Sequence, residues 1–268
     1  RAKDCGGDDC SRGSYKGSWG RTEAFLNNPI NNMHVGEYGE NWYTWSFYLD
    51  DSELSSFNDK HLFQFGQFKQ IYTDQIKKEF SHCDTSNDSY AGVTFMFKYK
   101  PDHEGLGVSR EYCNEKGLYK ITSKNNIVIK KSDLFNKWHD IILNVKWGDD
   151  GFMKLYINGD LQYLEIGYIS PQVFVPKKNK YDSPAFRYGI YSGNVPQNYE
   201  GKLVAWYDGL ARAQKCTQNK FSKLLNELGY NCEDLGDKDG FVINSEPRCL
   251  NCKLETSDYA SLASDKDF

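Results

Sequence analysis

The stretch NWYTWSFYLD, from Asn41 to Asp50, decides the fold class. Large apolar residues occupy every second position of it, namely Tyr43, Trp45, Phe47 and Leu49. The positions between them hold Trp42, Thr44, Ser46 and Tyr48. Because the side chains of a strand alternate between its two faces, this pattern predicts a β-strand with one face in a core.

Strand-like segments of the same kind follow along the chain, separated by turn signals such as NG and DDG. They are KHLFQFGQFKQIY (60–72), AGVTFMFKYK (91–100), GLYKITS (117–123), NNIVIKK (125–131), HDIILNVKW (139–147), GFMKLYING (151–159), FRYGIYSGN (186–194) and EGKLVAWYDGLARA (200–213). Short strands at this spacing indicate an antiparallel sandwich. The sequence predicts one helix, KFSKLLNELGY, in which Phe221, Leu224, Leu225 and Leu228 recur at helical spacing.

These segments divide the chain into three parts. Residues 1–18 form an N-terminal arm, residues 19–213 an all-β domain, and residues 214–268 a small helical extension that contains cysteines. The C-terminal segment GDKDGFVINSE (236–246) places acidic residues at three positions of a calcium-binding loop, but its first position is Leu235. An acidic turn is therefore the simpler interpretation, with structural calcium as the alternative; we expect no other metal or cofactor.

Composition limits which classes of molecule we expect the protein to bind and where we expect it to be located. The 33 basic and 37 acidic residues give a formal charge of −4, so no overall field favours nucleic acid. No apolar run reaches the length of a membrane span. The eight cysteines favour disulfides over a metal site, because the single CxxC has no partner pair. Together with a glycosylation sequon at Asn87, they predict a secreted protein.

The segment FRYGIYSGN carries an unusual set of side chains for a strand. Alternation places Arg187, Gly189 and Tyr191 on one face, while Phe186, Tyr188 and Ile190 face a core. A cation and a phenol would then lie roughly 13 Å apart on the open face. We expect a ligand to approach the backbone at the glycine between them.

Four blocks in order resemble the heparinase-I/glucuronan-lyase type of polysaccharide lyase. They are GEYGENWYTWSFYLDD (36–51), HLFQFGQFKQ (61–70), KWHDIILNVKWGDDGFMKLYINGDLQ (137–162) and FRYGIYSGN (186–194), within a resemblance that covers residues 19–210. The resemblance implies a β-jelly roll whose concave sheet binds an anionic, uronic-acid-containing polysaccharide. It implies cleavage by β-elimination, in which the C5 proton is removed and the C4 oxygen leaves.

Alginate lyases of similar fold show an R-T/S-E strand, a Q-I-H strand and a K-x-x-x-Y strand. The resembling positions here are Arg21-Thr22-Glu23, Gln67-Phe68-Lys69 and Arg187 through Tyr191. Lysine stands where histidine is usual, and arginine where lysine is usual. The resemblance thus implies four catalytic residues: Arg21, Gln67, Lys69 and Tyr191.

Elimination requires a base near C5, an acid near the leaving oxygen, and donors that neutralise the carboxylate. We expect Gln67 and Arg21 to bind the carboxylate and Tyr191 to serve as both base and acid in a syn elimination. A free tyrosine titrates near about 10, so a tyrosine base needs neighbouring cations such as Arg187. Lys69 as the base is the alternative. Because a bulge in this strand would change which glutamine points inward, Gln64 or Gln70 is able to replace Gln67 on the inward face.

Further residues are expected to bind substrate: Arg187, Glu23, Trp42, Tyr48 and Lys178, the last in a basic cluster before the key strand. His34 or His82 is an alternative source of the missing histidine. The lysine in place of histidine leaves a second function open, a non-catalytic, lectin-like jelly roll. A glycoside hydrolase ranks last, since no strand shows the closely spaced carboxylates that it requires. We expect a monomer.

Overall fold

The computed structural model describes residues 18–25, 39–52, 57, 61–69, 93–114, 117–148, 150–167, 169, 173–175, 180–182, 185–195, 204–235 and 248–250. Fifteen strands and two helices lie in these ranges. The strands are β1 Ser18–Phe25, β2 Glu40–Leu49, β3 Leu62–Lys69, β4 Val93–Tyr99, β5 Gly105–Asn114, β6 Gly117–Ile121, β7 Ile127–Lys130, β8 Trp138–Lys146, β9 Gly151–Ile157, β10 Asp160–Gly167, β11 Val173–Val175, β12 Lys180–Asp182, β13 Ala185–Val195, β14 Ala205–Ala213 and β15 Arg248–Leu250. The helices are α1, Lys131–Leu134, and α2, Asn219–Glu227.

The strands form two large antiparallel sheets that pack face to face. The first sheet has seven strands in the order β1-β13-β3-β4-β5-β6, with β7 pairing with β5. The second sheet has six, in the order β14-β2-β8-β9-β10-β15. Strands distant in sequence are neighbours in both sheets, as in β1-β13-β3. The fold is the antiparallel sandwich that the alternating segments predict and the β-jelly roll that the family resemblance implies.

An aromatic core fills the space between the sheets. Trp45 contacts Phe97 edge to face, with ring centroids 5.6 Å apart, and Phe186 at 4.5 Å. Phe68 of the first sheet contacts Tyr43 of the second at 4.9 Å. The alternation in NWYTWSFYLD is confirmed, because its odd-numbered aromatic residues and Leu49 are all in this core. Burial of such large apolar surfaces is the main stabilising term for a sandwich.

A buried ion pair joins the two sheets at one side of this core. Arg110 of β5 has no exposed side-chain surface, and its Nη1 lies 3.0 Å from Glu165 Oε2 of β10. Arg110 Nη2 also donates to the carbonyl of Ile169 at 2.9 Å, and Tyr163 donates to Glu165 at 2.7 Å. Burial raises the pKa of Glu165, an effect that Arg110 and then Tyr163 oppose.

The C-terminal extension packs on the outer face of the second sheet. Helix α2 buries Phe221 and Leu225 in a smaller cluster that includes Trp42, Ile142 and Tyr156. A disulfide between Cys216 and Cys232 encloses the helix. Strand β15 adds an edge to the second sheet by pairing with β10. The predicted helix and the preference for disulfides are confirmed at these positions. Among the described residues no helix has the length and apolar content of a membrane span.

Candidate functional site

Strand β13 separates its side chains as the sequence predicts. Phe186 is 3 % exposed, and Tyr188 and Ile190 pack against the core between the sheets. Arg187 and Tyr191 are half-buried and belong to the opposite, outer face of the first sheet. This face is the candidate functional site, because it carries the polar residues of three neighbouring strands.

The first row of residues across this face contains the phenol. In the strand register Tyr191 lies opposite Arg21 of β1 on one side and opposite Gln64 of β3 on the other. Gln64 in turn lies opposite Lys98 of β4. Residues that are opposite each other in neighbouring strands are about 5 Å apart, so these four backbone positions form one row across the sheet. We call the set Arg21, Tyr191, Gln64 and Lys98 the tyrosine row.

A second row lies three residues further along β3. Arg187 is opposite Gln67, and Gln67 is opposite Met96. Met96 is opposite Ser109 of β5, and both are buried at 3 % and 2 % exposure. The backbone positions of Gln67 and Tyr191 are roughly 11 Å apart, from three residues along the strand and one strand spacing across.

A register irregularity in β3 explains why Gln64 shares a face with Gln67. Alternation alone would place residues three apart on opposite faces. The register with β4 shifts between Gln64 and Gly66, so that Phe65 is an extra residue. Phe63, Phe65 and Phe68 all lie in the core, which leaves both glutamines on the outer face. The bulge that the sequence allowed is therefore present, and it adds Gln64 to the site rather than replacing Gln67.

The facing strand β13 shifts register at the same level, between Tyr188 and Tyr191. Gly189 has a φ of 122°, a backbone conformation that favours glycine. The glycine at the centre of FRYGIYSGN thus serves the irregular backbone of its own strand. The ligand approach that the sequence suggests at this glycine stays a prediction.

The carbonyl groups at this irregularity are bound from the opposite sheet. The hydroxyl of Tyr207, on β14, donates towards the carbonyl oxygens of Phe65 at 2.8 Å and of Gly189 at 3.0 Å. Its ring also contacts Tyr188, with centroids 5.6 Å apart. Tyr207 therefore fixes the backbone directly beneath the tyrosine row.

The amide side chains of Gln64 and Gln67 are less exposed than the charged and phenolic side chains near them. Gln64 is 8 % exposed and Gln67 3 %, whereas Tyr191, Arg187 and Lys98 are half-buried. The amides of both glutamines are therefore deeper in the face than the phenol of Tyr191 and the charged groups of Arg187 and Lys98. A buried amide donor is worth more to an anionic ligand than an exposed one, because water competes less.

The β4–β5 turn adds positive charge beside Lys98. Burial is the main cause that lowers the pKa of His103 in this turn, and Asp102 opposes it. Lys100, Lys124 and Lys98 lower it further. Three ammonium groups and the carboxylate of Asp102 therefore lie within electrostatic reach of His103.

Lys69 lies at the end of β3, opposite Ala185. It is five residues from Gln64, which corresponds to roughly 16 Å of strand. Glu23 lies opposite Gly189, two positions from Arg21 on β1. The structure thus brings Arg21, Glu23, Gln67, Arg187 and Tyr191 onto adjoining strands, with the backbone of Lys69 more distant from Tyr191.

The two aromatic residues expected to stack on substrate lie elsewhere. Trp42 is 7 % exposed and packs beneath α2 on the outer face of the second sheet. A buried indole on the far side of the sandwich cannot contact a ligand on the first sheet, so the prediction for Trp42 is wrong. Tyr48 lies on that same outer face, between Trp138 and Trp206. Tyr48 is therefore on the opposite side of the sandwich from Tyr191, and its expected contact with a sugar stays a prediction.

Several expectations fall outside the described residues: Lys178, His34, His82, Gln70 and the calcium-loop segment 236–246. Within the described residues, no group of three or more His, Cys, Asp or Glu side chains is arranged to hold a metal ion. Sequence reasoning missed Lys98 and Tyr207. The KYK pattern after a strand is a signal for Lys98, but no local pattern indicates Tyr207, whose partners are distant in sequence.

Several solved structures have a fold similar to that of this chain. The endo-β-1,4-glucuronan lyase of the fungus Trichoderma reesei has a similar structure, with a TM-score of 0.50 at 15 % identity, covering 76 % of this chain and 77 % of that one. A family 7 alginate lyase gives a TM-score of 0.42 at 15 % identity, covering 75 % and 74 %. An alginate lyase from Pseudomonas aeruginosa gives 0.35 at 11 %, covering 67 % and 68 %. No curated protein sequence matches.

The family model described as polysaccharide lyase matches residues 4–211, which include the whole tyrosine row. This match spans well over half of the chain and most of both sheets. The resemblance seen in the four sequence blocks is confirmed. The protein belongs to the polysaccharide lyase family and is an enzyme of that class.

Proposed function

We propose that the protein cleaves a uronic-acid-containing polysaccharide by β-elimination, as a secreted monomer. The observation that carries the proposal is the register of the tyrosine row, in which the position of Tyr191 lies between those of Arg21 and Gln64 on adjoining strands. The lyases of similar fold named above act on glucuronan and alginate, and both are acidic polymers. Membership in a lyase family favours this function over a non-catalytic lectin.

The reaction begins with a difficult proton transfer. The hydrogen at C5 of a uronate is weakly acidic because the adjacent carboxylate is already negative. Donors that bind the carboxylate stabilise the negative charge that develops as the proton leaves. In our proposal Gln64 and Gln67 donate to the carboxylate from the base of the face, and Arg187 pairs with it from beside Gln67.

Tyr191 then carries the proton from C5 to the leaving oxygen. Its phenolate removes the C5 proton, a double bond forms between C4 and C5, and the bond from C4 to the glycosidic oxygen breaks. The phenol returns the proton to that oxygen, which becomes the new hydroxyl, and the phenolate is regenerated. Neighbouring cations favour the phenolate form of a tyrosine. Arg21, directly opposite Tyr191, and Lys98, one strand further, supply that charge.

Geometry favours one residue for both steps over a tyrosine–lysine pair. Base and acid must reach adjacent carbons of one sugar ring. The backbone of Lys69 is five strand residues from the position opposite Tyr191, or roughly 16 Å. Lys69 fits better as a group that contacts a neighbouring sugar of the same chain. Its action as the base stays the alternative.

Local charge supports the proposed anionic substrate, and the disulfide supports the proposed secretion. Lys98, Lys100 and Lys124 cluster around His103 beside Asp102, and in our proposal these three lysines attract a polyanion despite the net charge of −4. The disulfide Cys216–Cys232 suits an oxidising compartment outside the cytosol. The proposed chemistry uses protein groups alone, and a structural calcium ion in segment 236–246 stays a prediction.

The decisive experiment follows the ultraviolet absorbance of the unsaturated product with glucuronan, alginate, heparin and ulvan as substrates. We expect absorbance to rise with at least one of them. Tyr191→Phe should abolish the rise while binding of the same polymer persists. Tyr188→Phe is the matched control, since Tyr188 lies on the same strand but packs towards the core.

Each contrary result removes a specific part of the proposal. New reducing ends without absorbance would mean hydrolysis, and binding without either signal would mean a lectin. Undiminished turnover by Tyr191→Phe would exclude Tyr191 from the reaction. If Lys69→Ala alone abolished turnover while Tyr191→Phe did not, the base would be Lys69.

A further inference from the structure

Three aromatic side chains form a strip on the outer face of the second sheet. Trp206 of β14 lies opposite Tyr48 of β2, and Tyr48 lies opposite Trp138 of β8. The ring centroids are 5.2 Å apart for the first pair and 5.9 Å for the second. Trp138 is 50 % exposed and Trp206 45 %, the two large apolar residues that stand out as exposed in the described structure. We call Trp206, Tyr48 and Trp138 the aromatic strip.

The strip is separate from the reaction site. The tyrosine row lies on the outer face of the first sheet, and the strip on the outer face of the second. The packed core lies between them, and stacked sheets alone are about 10 Å apart. Nor does the strip belong to the cluster under α2, whose tryptophan is the buried Trp42.

The shape of the strip fits a sugar chain. The outer two rings are two strand spacings apart, about 10 Å, which matches the length of two linked sugars. Indole and phenol rings combine an apolar face with a polar edge, so they bind the C–H face of a sugar while its hydroxyls stay hydrated. The T-shaped and tilted contacts hold the rings in place, which lowers the entropy lost on binding.

The charges beside the strip decide which sugar chain it suits. The next row along the same face holds Asp208, Ser46 and Asp140. Ser46 and Tyr230 both donate to the carboxylate of Asp140, at 2.6 Å and 2.9 Å, and Asp208 is exposed. Asp50 and Asp51 follow the end of β2 on the other side. These carboxylates accept hydrogen bonds from hydroxyls but repel a uronate.

The ammonium group nearest in sequence does not reverse this preference. Lys137 precedes Trp138, and its Nζ lies 3.0 Å from Asp133, so the pair is neutral overall. The surroundings of the strip are therefore acidic, whereas those of the tyrosine row are basic. The two faces of the sandwich are suited to polymers of different charge.

We infer that the aromatic strip is a second carbohydrate-binding site, and that its ligand is a neutral polysaccharide. It would hold the enzyme on a matrix that contains neutral chains beside the acidic substrate. This inference uses only the family assignment and the geometry of the second sheet. It is independent of which acidic polymer is cleaved and of the role of Tyr191.

The test is electrophoresis of the full chain through gels that contain a soluble mixed-linkage β-glucan, a galactomannan or a xylan, with alginate as the acidic comparison. We expect retardation by at least one neutral polymer, and a loss of about tenfold in affinity for each of Trp138→Ala and Trp206→Ala. Both residues are half-exposed, so we expect the thermal midpoint to stay unchanged. Lyase turnover on short acidic oligosaccharides should also be unchanged, which separates this site from the reaction site.

A matched control and a second readout complete the test. Trp42→Phe changes a tryptophan on the same face but under α2, and should leave retardation intact. Quenching of tryptophan fluorescence by a soluble neutral oligosaccharide measures the same site without any substitution. Absence of both retardation and quenching with all three neutral polymers would overturn the inference. Retardation by alginate alone would also overturn it, because the strip would then bind an acidic chain. A dimer of the parent protein that Trp206→Ala dissociates would overturn it as well, because the strip would then bind a second copy.

Discussion

The buried pair Arg110–Glu165 provides the strongest prediction about stability. Substituting Glu165 by Leu removes the carboxylate that lies 3.0 Å from a guanidinium with no exposed side-chain surface. Removal of one partner from a buried pair costs about 3–5 kcal/mol of unfolding free energy. Leucine does not titrate, so any change of this loss with pH reports the ionisation of Glu165 in the parent protein, whose pKa burial raises.

The reciprocal substitution should behave differently. Arg110→Met leaves a carboxyl group whose pKa burial already raises, now without its main opposing charge. A carboxyl with a raised pKa in the folded state is tolerated while protonated and destabilises as it ionises. Arg110→Met should therefore cost least below about pH 4.3, the ordinary glutamate value, and progressively more as the pH rises.

Urea unfolding followed by tryptophan fluorescence, at several pH values, measures both losses. The combined variant Arg110→Met/Tyr163→Phe/Glu165→Leu removes the charges and the hydroxyl together, and we expect it to be close to the parent in stability. Lys137→Met, at an exposed ion pair, is the control and should leave the midpoint unchanged. A loss below about 1 kcal/mol for Glu165→Leu, or equal pH profiles for the two single variants, would refute the reasoning.

Three more predictions concern the site and its supports. Tyr207→Phe removes the donor to the carbonyls of Phe65 and Gly189, so we expect a loss of about 1–3 kcal/mol in stability and a fall in kcat with KM little changed. Tyr156→Phe is the control, because it loses a comparable hydrogen bond to the carbonyl of Leu235 beneath α2 and should keep full turnover. Equal kcat values for Tyr207→Phe and Tyr156→Phe would count against a role for Tyr207 in turnover. Burial, opposed by the hydrogen bond to Leu134, lowers the pKa of His139, so the stability that neutral His139 contributes is present above about pH 6.5 and declines below it. His139→Gln should therefore show a shallower loss of stability on acidification in urea titrations, and an unchanged slope would argue against it. Gly107→Ala should prevent or severely weaken folding, because a Cβ there would lie 1.9 Å from the carbonyl oxygen of Ser123. Gly66→Ala is the control and should fold, because its Cβ would meet nothing closer than 3.6 Å. Circular dichroism and thermal melting distinguish the two variants, and similar melting of both would contradict this account.

Alternation of residue types was enough to predict the sandwich. In β2 and β13 the apolar residues recur with period two, and the structure places them in the core as expected. Alternation failed where the strand itself departs from period two. The extra residue at Phe65 brings Gln64 onto the face of Gln67, and nothing local in HLFQFGQFKQ shows which residue is extra.

Trp42 shows a second limit of sequence reasoning. Both faces of NWYTWSFYLD carry aromatics, and composition alone does not show what covers the second face. Helix α2, from the other end of the chain, covers Trp42 but not Tyr48. Long-range partners therefore decide whether an aromatic residue is buried or able to bind a ligand. The same holds for Tyr207, whose contacts are 142 and 18 residues away in sequence.

The bond from Tyr207 across the sandwich also couples catalysis to how firmly the two layers are docked. A small slip between them would pull the hydroxyl from the carbonyls that shape the working surface, while nearly every strand ladder stayed intact. On gentle heating, catalytic failure should then precede the collapse of secondary structure. Loss of turnover would therefore report loosening of the core at temperatures below the unfolding transition.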